Sequence, residues 1–317
     1  MMEPSQQISH STASDTGVVL MAFGRPQYYW AAYNLAYSIK RFNKSIQIAC
    51  LVESKEDVDK YCGDLHEVVD VIRPILQENL YTNKKIDPGK AKVNLYYYLP
   101  FTHNVYLDVD AVALKDIQPM IDVLIQSGKP YASHCVGYHT IDQGRKIDSM
   151  QWAWADDIWS QYNFDEKTVL PAINSSIQYI KKCNESLNLF KVAQDYYHHN
   201  PIPVHKLRTK WGGGQPDELY MNCALAKIGM DPAIGEVGRN DHAEIGFIHF
   251  TDRRGMNYAQ VTQLYYLQSY YGGQGFTPAF YIEWLDRLLK SWMREENKMH
   301  KYFIHRIISN KHADPKR

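Results

Sequence analysis

Apolar and polar positions follow two rhythms along the first third of the chain. Gly17-Val18-Val19-Leu20-Met21-Ala22-Phe23-Gly24 is a continuous apolar run closed by glycine, the pattern of a buried strand. From Tyr28 to Phe42 the spacing turns helical, carried by Trp30, Tyr33, Leu35, Ala36 and Ile39. Ile46 to Glu53 predicts a second strand. Ser54, followed by acids, caps a helix that runs through Asp64. Val68 to Ile75 predicts a third strand, ended by Pro74. Strand–helix–strand–helix–strand implies a parallel, doubly wound sheet. Ligands of such sheets sit at the carboxyl ends of the strands.

Further along, Asp87 to Leu99 predicts a helix and Ile117 to Ser127 a shorter one, followed by a strand from Tyr131 to Val136. Gly137 to Thr168 is polar and aromatic without clear periodicity. It reads as an excursion over the site, of the kind that holds acceptor-binding residues. Val169 to Ile180 predicts a strand running toward a helix, Asp217 to Ile228 a helix, and Ile245 to Phe250 a short strand. From Tyr258 the chain is helical and aromatic, becoming basic near its end. The expected organisation is a mobile tail over 1–16, a catalytic domain over 17–255 and a helical, basic extension over 256–317.

Composition narrows the function classes. Lys and Arg number 35 and so do Asp and Glu, so no global field draws the chain to nucleic acid or acidic lipid. Cys50, Cys62, Cys135, Cys183 and Cys223 form no C-x-x-C pair, which points away from a zinc cluster or disulfide framework and toward a reducing compartment. The first sixteen residues lack the apolar core of a signal peptide, and no apolar run is long enough to span a bilayer. The expectation is a cytoplasmic protein, held at most peripherally on the inner face of a membrane. The acceptor patterns at Asn43, Asn174 and Asn184 are then accidental.

Chemistry concentrates in Asn104-Val105-Tyr106-Leu107-Asp108-Val109-Asp110-Ala111-Val112-Ala113-Leu114. An apolar strand drives into two carboxylates at i and i+2, which point the same way and can converge on one hard cation. An Asp-x-Asp alone is more often a solvated strand exit. Five further segments, in order, change that reading.

Val105 to Asp110 resembles the metal-binding motif of GT-A-fold, sugar-nucleotide-dependent glycosyltransferases. The chain looks most like glycosyltransferase family 8, the glycogenin and lipopolysaccharide galactosyltransferase group, over roughly residues 17 to 255. The resemblance implies a GT-A α/β fold, Rossmann-like, with a mostly parallel sheet flanked by helices. It places Ala22, Phe23 and Tyr28 or Tyr29 near a uridine. In Gly89-Lys90-Ala91-Lys92-Val93-Asn94-Leu95 it aims Lys92, or secondarily Lys90, at the donor diphosphate. Asn174 and Ser175 match a strand lining donor sugar and acceptor, although Ile173 and Ser176 depart from the usual aromatic and glycine. Gln215, Asp217 and Glu218, after Gly212-Gly213-Gly214, resemble an acidic helix start near the reacting carbon; simple helix capping is the plainer alternative. His249 matches the distant metal ligand, with Arg253 or Arg254 in place of a diphosphate-binding lysine.

The resemblance therefore implies Mn²⁺ or Mg²⁺ on Asp108, Asp110 and His249, with Val109 alongside. It also implies a nucleoside diphosphate sugar as donor, a UDP-sugar first, and transfer to a hydroxyl on a glycan, glycolipid or other acceptor, with retention. Catalytic roles fall to Asp217, Glu218, Asn174 and Gln215. Two other classes stay open. One is a nucleotidyltransferase, for which only Gly24-Arg25 hints at a phosphate loop; the other is a non-catalytic module of the same fold. The basic end, from Lys290 to Arg317, is solvated or meets a membrane surface or nucleic acid.

Overall fold

In a computed structural model, residues 15–109, 111–113, 116–142, 152–207, 215–233 and 247–249 are described. The chain opens with β1 (Thr16–Ala22), α1 (Pro26–Phe42) and β2 (Gln47–Val52). In β1, Val18, Leu20 and Ala22 join one core and Val19 and Met21 the other. Burial on both faces is why the run is apolar without alternation. α2 (Lys55–Cys62) starts as expected, with the Ser54 hydroxyl accepting from Asp57 N at 3.0 Å. It does not continue through Asp64. A separate turn of helix, α3 (Leu65–Val68), takes the residues up to Val68 and confines β3 to Val71–Pro74. Leu65 and Val68 are buried there in the α1-side core, so packing decides over strand propensity.

α4 (Gln77–Leu80) leads into a hairpin, β4 (Tyr81–Thr82) and β5 (Lys85–Ile86), turned by Asn83 and Lys84 at φ 50° and 62°. α5 (Pro88–Val93) follows, N-capped by Asp87. It ends well before Leu99, because Asn94 Nδ2 donates back to the Lys90 carbonyl at 2.8 Å and the chain tightens into a 3-10 turn over Leu95–Tyr98. β6 (His103–Leu107) stops at the first carboxylate, and β7 (Ala111–Ala113) belongs to a different sheet. α6 (Gln118–Gln126) and β8 (Tyr131–His139) come next. α7 (Ala155–Gln161) lies within the stretch that shows no periodicity. β9 (Leu170–Lys181), α8 (Asn184–His198), α9 (Asp217–Ile228) and β10 (Phe247–His249) complete the described elements.

The architecture is mixed α/β, a mainly parallel sheet flanked by helices. Six strands run in the order β3-β2-β1-β6-β9-β8. The pairs β3–β2, β2–β1 and β1–β6 are parallel, and β6–β9 and β9–β8 antiparallel. Strand order reverses between β1 and β6, the crevice where doubly wound sheets bind ligands. One core packs α1 on the sheet and another packs α8 and α9 on the opposite face. A third joins α7, α8 and α9. No described helix is long and apolar enough to cross a membrane. The extension over 256–317 lies outside the described residues.

Gly89 sets how closely α5 approaches the start of α9. A Cβ there would lie 2.2 Å from the Gln215 carbonyl oxygen and 3.1 Å from the Tyr197 hydroxyl. Gly89→Ala is expected to destabilise the fold by about 1–3 kcal/mol through overpacking, read as a lowered midpoint in urea.

Candidate active site

Three elements meet at the carboxyl edge of β6. The Asp108 N–H donates to the Ser176 carbonyl at 2.8 Å, continuing the β6–β9 ladder by one residue. α5 delivers Lys92, whose Nζ stands 2.9 Å from Asp108 Oδ1, 3.1 Å from Oδ2 and 3.4 Å from the Ser175 hydroxyl. α9 delivers Asp217, with Oδ2 at 3.8 Å from the same ammonium. The Tyr106 hydroxyl donates to Asp108 Oδ1 at 2.5 Å, and its ring lies 5.6 Å from Lys92 Nζ.

The second half of the cluster is built by an irregularity in β9. Its pairing with β8 jumps from Ser133–Gln178 to His134–Asn174, leaving Ser175, Ser176 and Ile177 without a partner on that strand. The freed Ser175 N–H donates to Glu218 Oε1 at 3.1 Å, and Glu218 Oε2 accepts from Trp152 Nε1 at 2.9 Å. The Asn174 side chain accepts from Ser176 N at 3.0 Å, and its carbonyl accepts from the Ser133 hydroxyl at 3.0 Å. The Ile173 N–H donates to Asn222 Oδ1 at 3.1 Å, which fixes α9 on the strand.

Charge in the cluster is unbalanced. Burial raises the Asp217 pKa; Lys92 opposes the shift and the Asp108 carboxylate adds to it. Burial and then Asp217 raise that of Glu218. For Lys92, burial disfavours the ammonium, yet Asp108 and Asp217 overcome this and hold its pKa well above the ordinary lysine value. Asp217 Oδ2 and the Ser176 hydroxyl are buried without a hydrogen-bond partner. Buried polar atoms are rarely left so. Three carboxyl groups around one ammonium, with acceptors to spare, form a seat for further positive charge or a polyhydroxylated ligand.

The structure sorts the sequence-predicted residues. Lys92, Asp108, Asn174, Ser175, Asp217 and Glu218 come together. Lys90 Nζ instead donates to the Tyr81 carbonyl at 2.9 Å, so Lys92 is the lysine of the site. Ala22, Phe23 and Val109 bury their side chains in the cores, leaving only their backbones at the sheet edge; Tyr29 is fully buried and Tyr28 is 39% exposed. Both ends of the Gln215 amide are engaged, with the Tyr220 hydroxyl and with the Ile202 carbonyl at 3.4 Å. Asp110, Arg253 and Arg254 lie outside the described residues. The backbone of His249 pairs with Ala111, so its segment runs beside the chain just past the acid pair.

No family model matches the chain, and no curated protein does. Solved glycosyltransferases share its outline. The galactosyltransferase LgtC, in complex with donor and acceptor sugar analogs, is 11% identical, covering 83% of this chain and 97% of its own, with a TM-score of 0.49. The bifunctional glycosyltransferase WbbM is 15% identical with a TM-score of 0.45; the match covers 68% of this chain but spans only 38% of WbbM. Mouse xyloside xylosyltransferase 1 is 15% identical, covering 68% of this chain and 82% of its own, with a TM-score of 0.40. At such identities and scores the likeness is one of loose architecture, and the chemistry has to come from the chain's own residues.

Two site residues escape sequence reasoning. Tyr106 was legible in principle, since i and i+2 on a strand share a face and Asp108 follows it by two. Trp152 was not, lying 66 residues from Glu218 in a stretch without periodicity. Trp152→Phe leaves Glu218 Oε2 without its donor. The expected cost is about 1–3 kcal/mol, measured by thermal unfolding.

Proposed function

We propose that this chain is a metal-dependent glycosyltransferase. It would move a sugar from a nucleoside diphosphate sugar, a UDP-sugar first, to a hydroxyl acceptor with retention. The observation that carries the reading is the convergence of Lys92, Asp108, Asp217 and Glu218 at the carboxyl edge where strand order reverses. Support for a hard cation comes from Asp108, which offers carboxylate oxygens there, and from the β7–β10 register, which brings the His249 backbone alongside Ala111; no cluster of three ligating side chains occurs among the described residues. Asp108, Asp110 and His249 would hold Mn²⁺ or Mg²⁺, which when bound supplies Lewis-acid stabilisation of the diphosphate.

The chain's own residues do the rest. The Lys92 ammonium, with Arg253 or Arg254, offsets charge that grows on the departing diphosphate. The C1–oxygen bond to the diphosphate breaks as the acceptor oxygen bonds to C1 on the same face, and the acceptor's hydroxyl proton passes to the departing diphosphate oxygen. Positive charge gathers on the sugar ring, as in glycoside chemistry. Asp217 and Glu218 stabilise that charge and orient the acceptor; Asn174 and Ser175 line the sugar. Retention requires no dedicated general base. Calorimetric titration of UDP is expected to show binding strengthened about tenfold or more by Mn²⁺, roughly 1.4 kcal/mol. Equal affinity in excess chelator would contradict the reading.

A further inference from the structure

Lys92 is shared unequally between two acids. Its ammonium lies 2.9 and 3.1 Å from the two oxygens of Asp108, 3.4 Å from the Ser175 hydroxyl and 3.8 Å from Asp217 Oδ2. The longest of these contacts is the incomplete one. Asp217 Oδ2 is buried and accepts no hydrogen bond, a state that buried polar atoms rarely keep. Asp108, by contrast, is held without the lysine. Tyr106, two residues back on β6, donates to its Oδ1 at 2.5 Å, and its N–H donates to the Ser176 carbonyl at 2.8 Å. The carboxylate therefore keeps its orientation if the ammonium departs. Lys92 is the exchangeable partner, a compact charge on a flexible four-carbon stem.

We propose that Lys92 competes with a divalent cation for Asp108. The ammonium holds both carboxylate oxygens until a cation takes them, and then moves to Asp217 Oδ2. Lys92 thereby regulates the order of binding, so that a cation alone binds weakly and a cation with a diphosphate binds well. The proposal rests on the glycosyl-transfer reading and adds a regulation to its site. Two cations on one carboxylate repel, and more strongly in a buried cluster than in water. Asp217 gives the displaced ammonium a buried acceptor that otherwise goes unmet. A diphosphate offers it charge-assisted bonds as well, which draws the lysine off Asp108. Cation and nucleoside diphosphate then strengthen each other's binding by the same factor.

The test is titration of the full chain with Mn²⁺ alone, followed by electron paramagnetic resonance, without nucleotide. Lys92→Met and Lys92→Gln are expected to bind Mn²⁺ about tenfold or more tightly than wild type, with thermal melting confirming that they fold. A gain of affinity is informative because a damaged site would lose it. Affinity equal to or weaker than wild type in a folded variant, or no Mn²⁺ binding by any of the three proteins, would overturn the competition. A crystal structure of the wild type with Mg²⁺ decides the matter if neither variant folds. Lys92 Nζ is expected to have left Asp108 for Asp217; an ammonium still on both Asp108 oxygens, or no ion at Asp108, would overturn it. Nucleoside diphosphate release from sugar nucleotides is measured in parallel on the wild type. Release with no gain of Mn²⁺ affinity in the variants removes the competition and leaves the transfer reading standing. A gain of affinity with no release by the wild type keeps the competition and removes the transfer reading.

Discussion

Lys92→Met is expected to lower sugar transfer by about 10²–10³-fold, the cost of losing one charge-stabilising donor. It should also cost the fold about 3 kcal/mol, because removing one partner strands carboxylates in a largely buried cluster. Lys92 meets both oxygens of Asp108 and approaches Asp217, and the two acids have no other cation among their described partners. The pH dependence has a definite sign. Asp108 and Asp217 outweigh burial and raise the lysine above its unfolded value. Its stabilising contribution is thus complete below that unfolded value, about 10.4, and is lost as pH rises through the higher folded one. Urea denaturation of wild type and variant should show a gap that persists between pH 7 and pH 9 and shrinks only in stronger alkali. A gap that closes by pH 9 would mean the ion pair is not what holds Lys92.

Asp110→Asn is expected to reduce metal-dependent turnover by about 10³-fold or more, since an amide is an uncharged and weaker ligand for a hard cation. The melting temperature should stay within about 2 °C of wild type, because the amide keeps the size and shape of the carboxylate it replaces. Asp110 follows Asp108 by two residues and precedes Ala111, the residue paired with His249. Asp108→Asn should behave differently, losing turnover and stability together, because Asp108 also carries the bonds to Lys92 and Tyr106. Steady-state rates and melting curves of the two variants separate these outcomes. Wild-type turnover in Asp110→Asn would remove the metal from the account.

The central strands were legible because burial on both faces leaves a chemical trace, an apolar run without alternation, in β1 and β6. α9 was legible to the residue, since Asp217 and Glu218 follow Pro216 as helix-start signals and Gly229, at φ 68°, ends it. α7 was not. Only Ala155, Ile158 and Trp159 of its seven residues are buried, too short a stripe to show a period. The resemblance ranked Lys92 ahead of Lys90, and geometry separates them: both lie on α5, but Lys92 reaches Asp108 while Lys90 donates to the Tyr81 carbonyl. The bond between Trp152 and Glu218 joins positions whose proximity no local pattern encodes.

The most direct test of the account is product analysis. Purified protein is incubated with a panel of UDP- and other nucleoside diphosphate sugars, with Mn²⁺ and with excess chelator. Release of nucleoside diphosphate and free sugar from at least one donor, abolished by chelator, is the expected result. Release of inorganic pyrophosphate, or a rate unchanged by chelator, would contradict it.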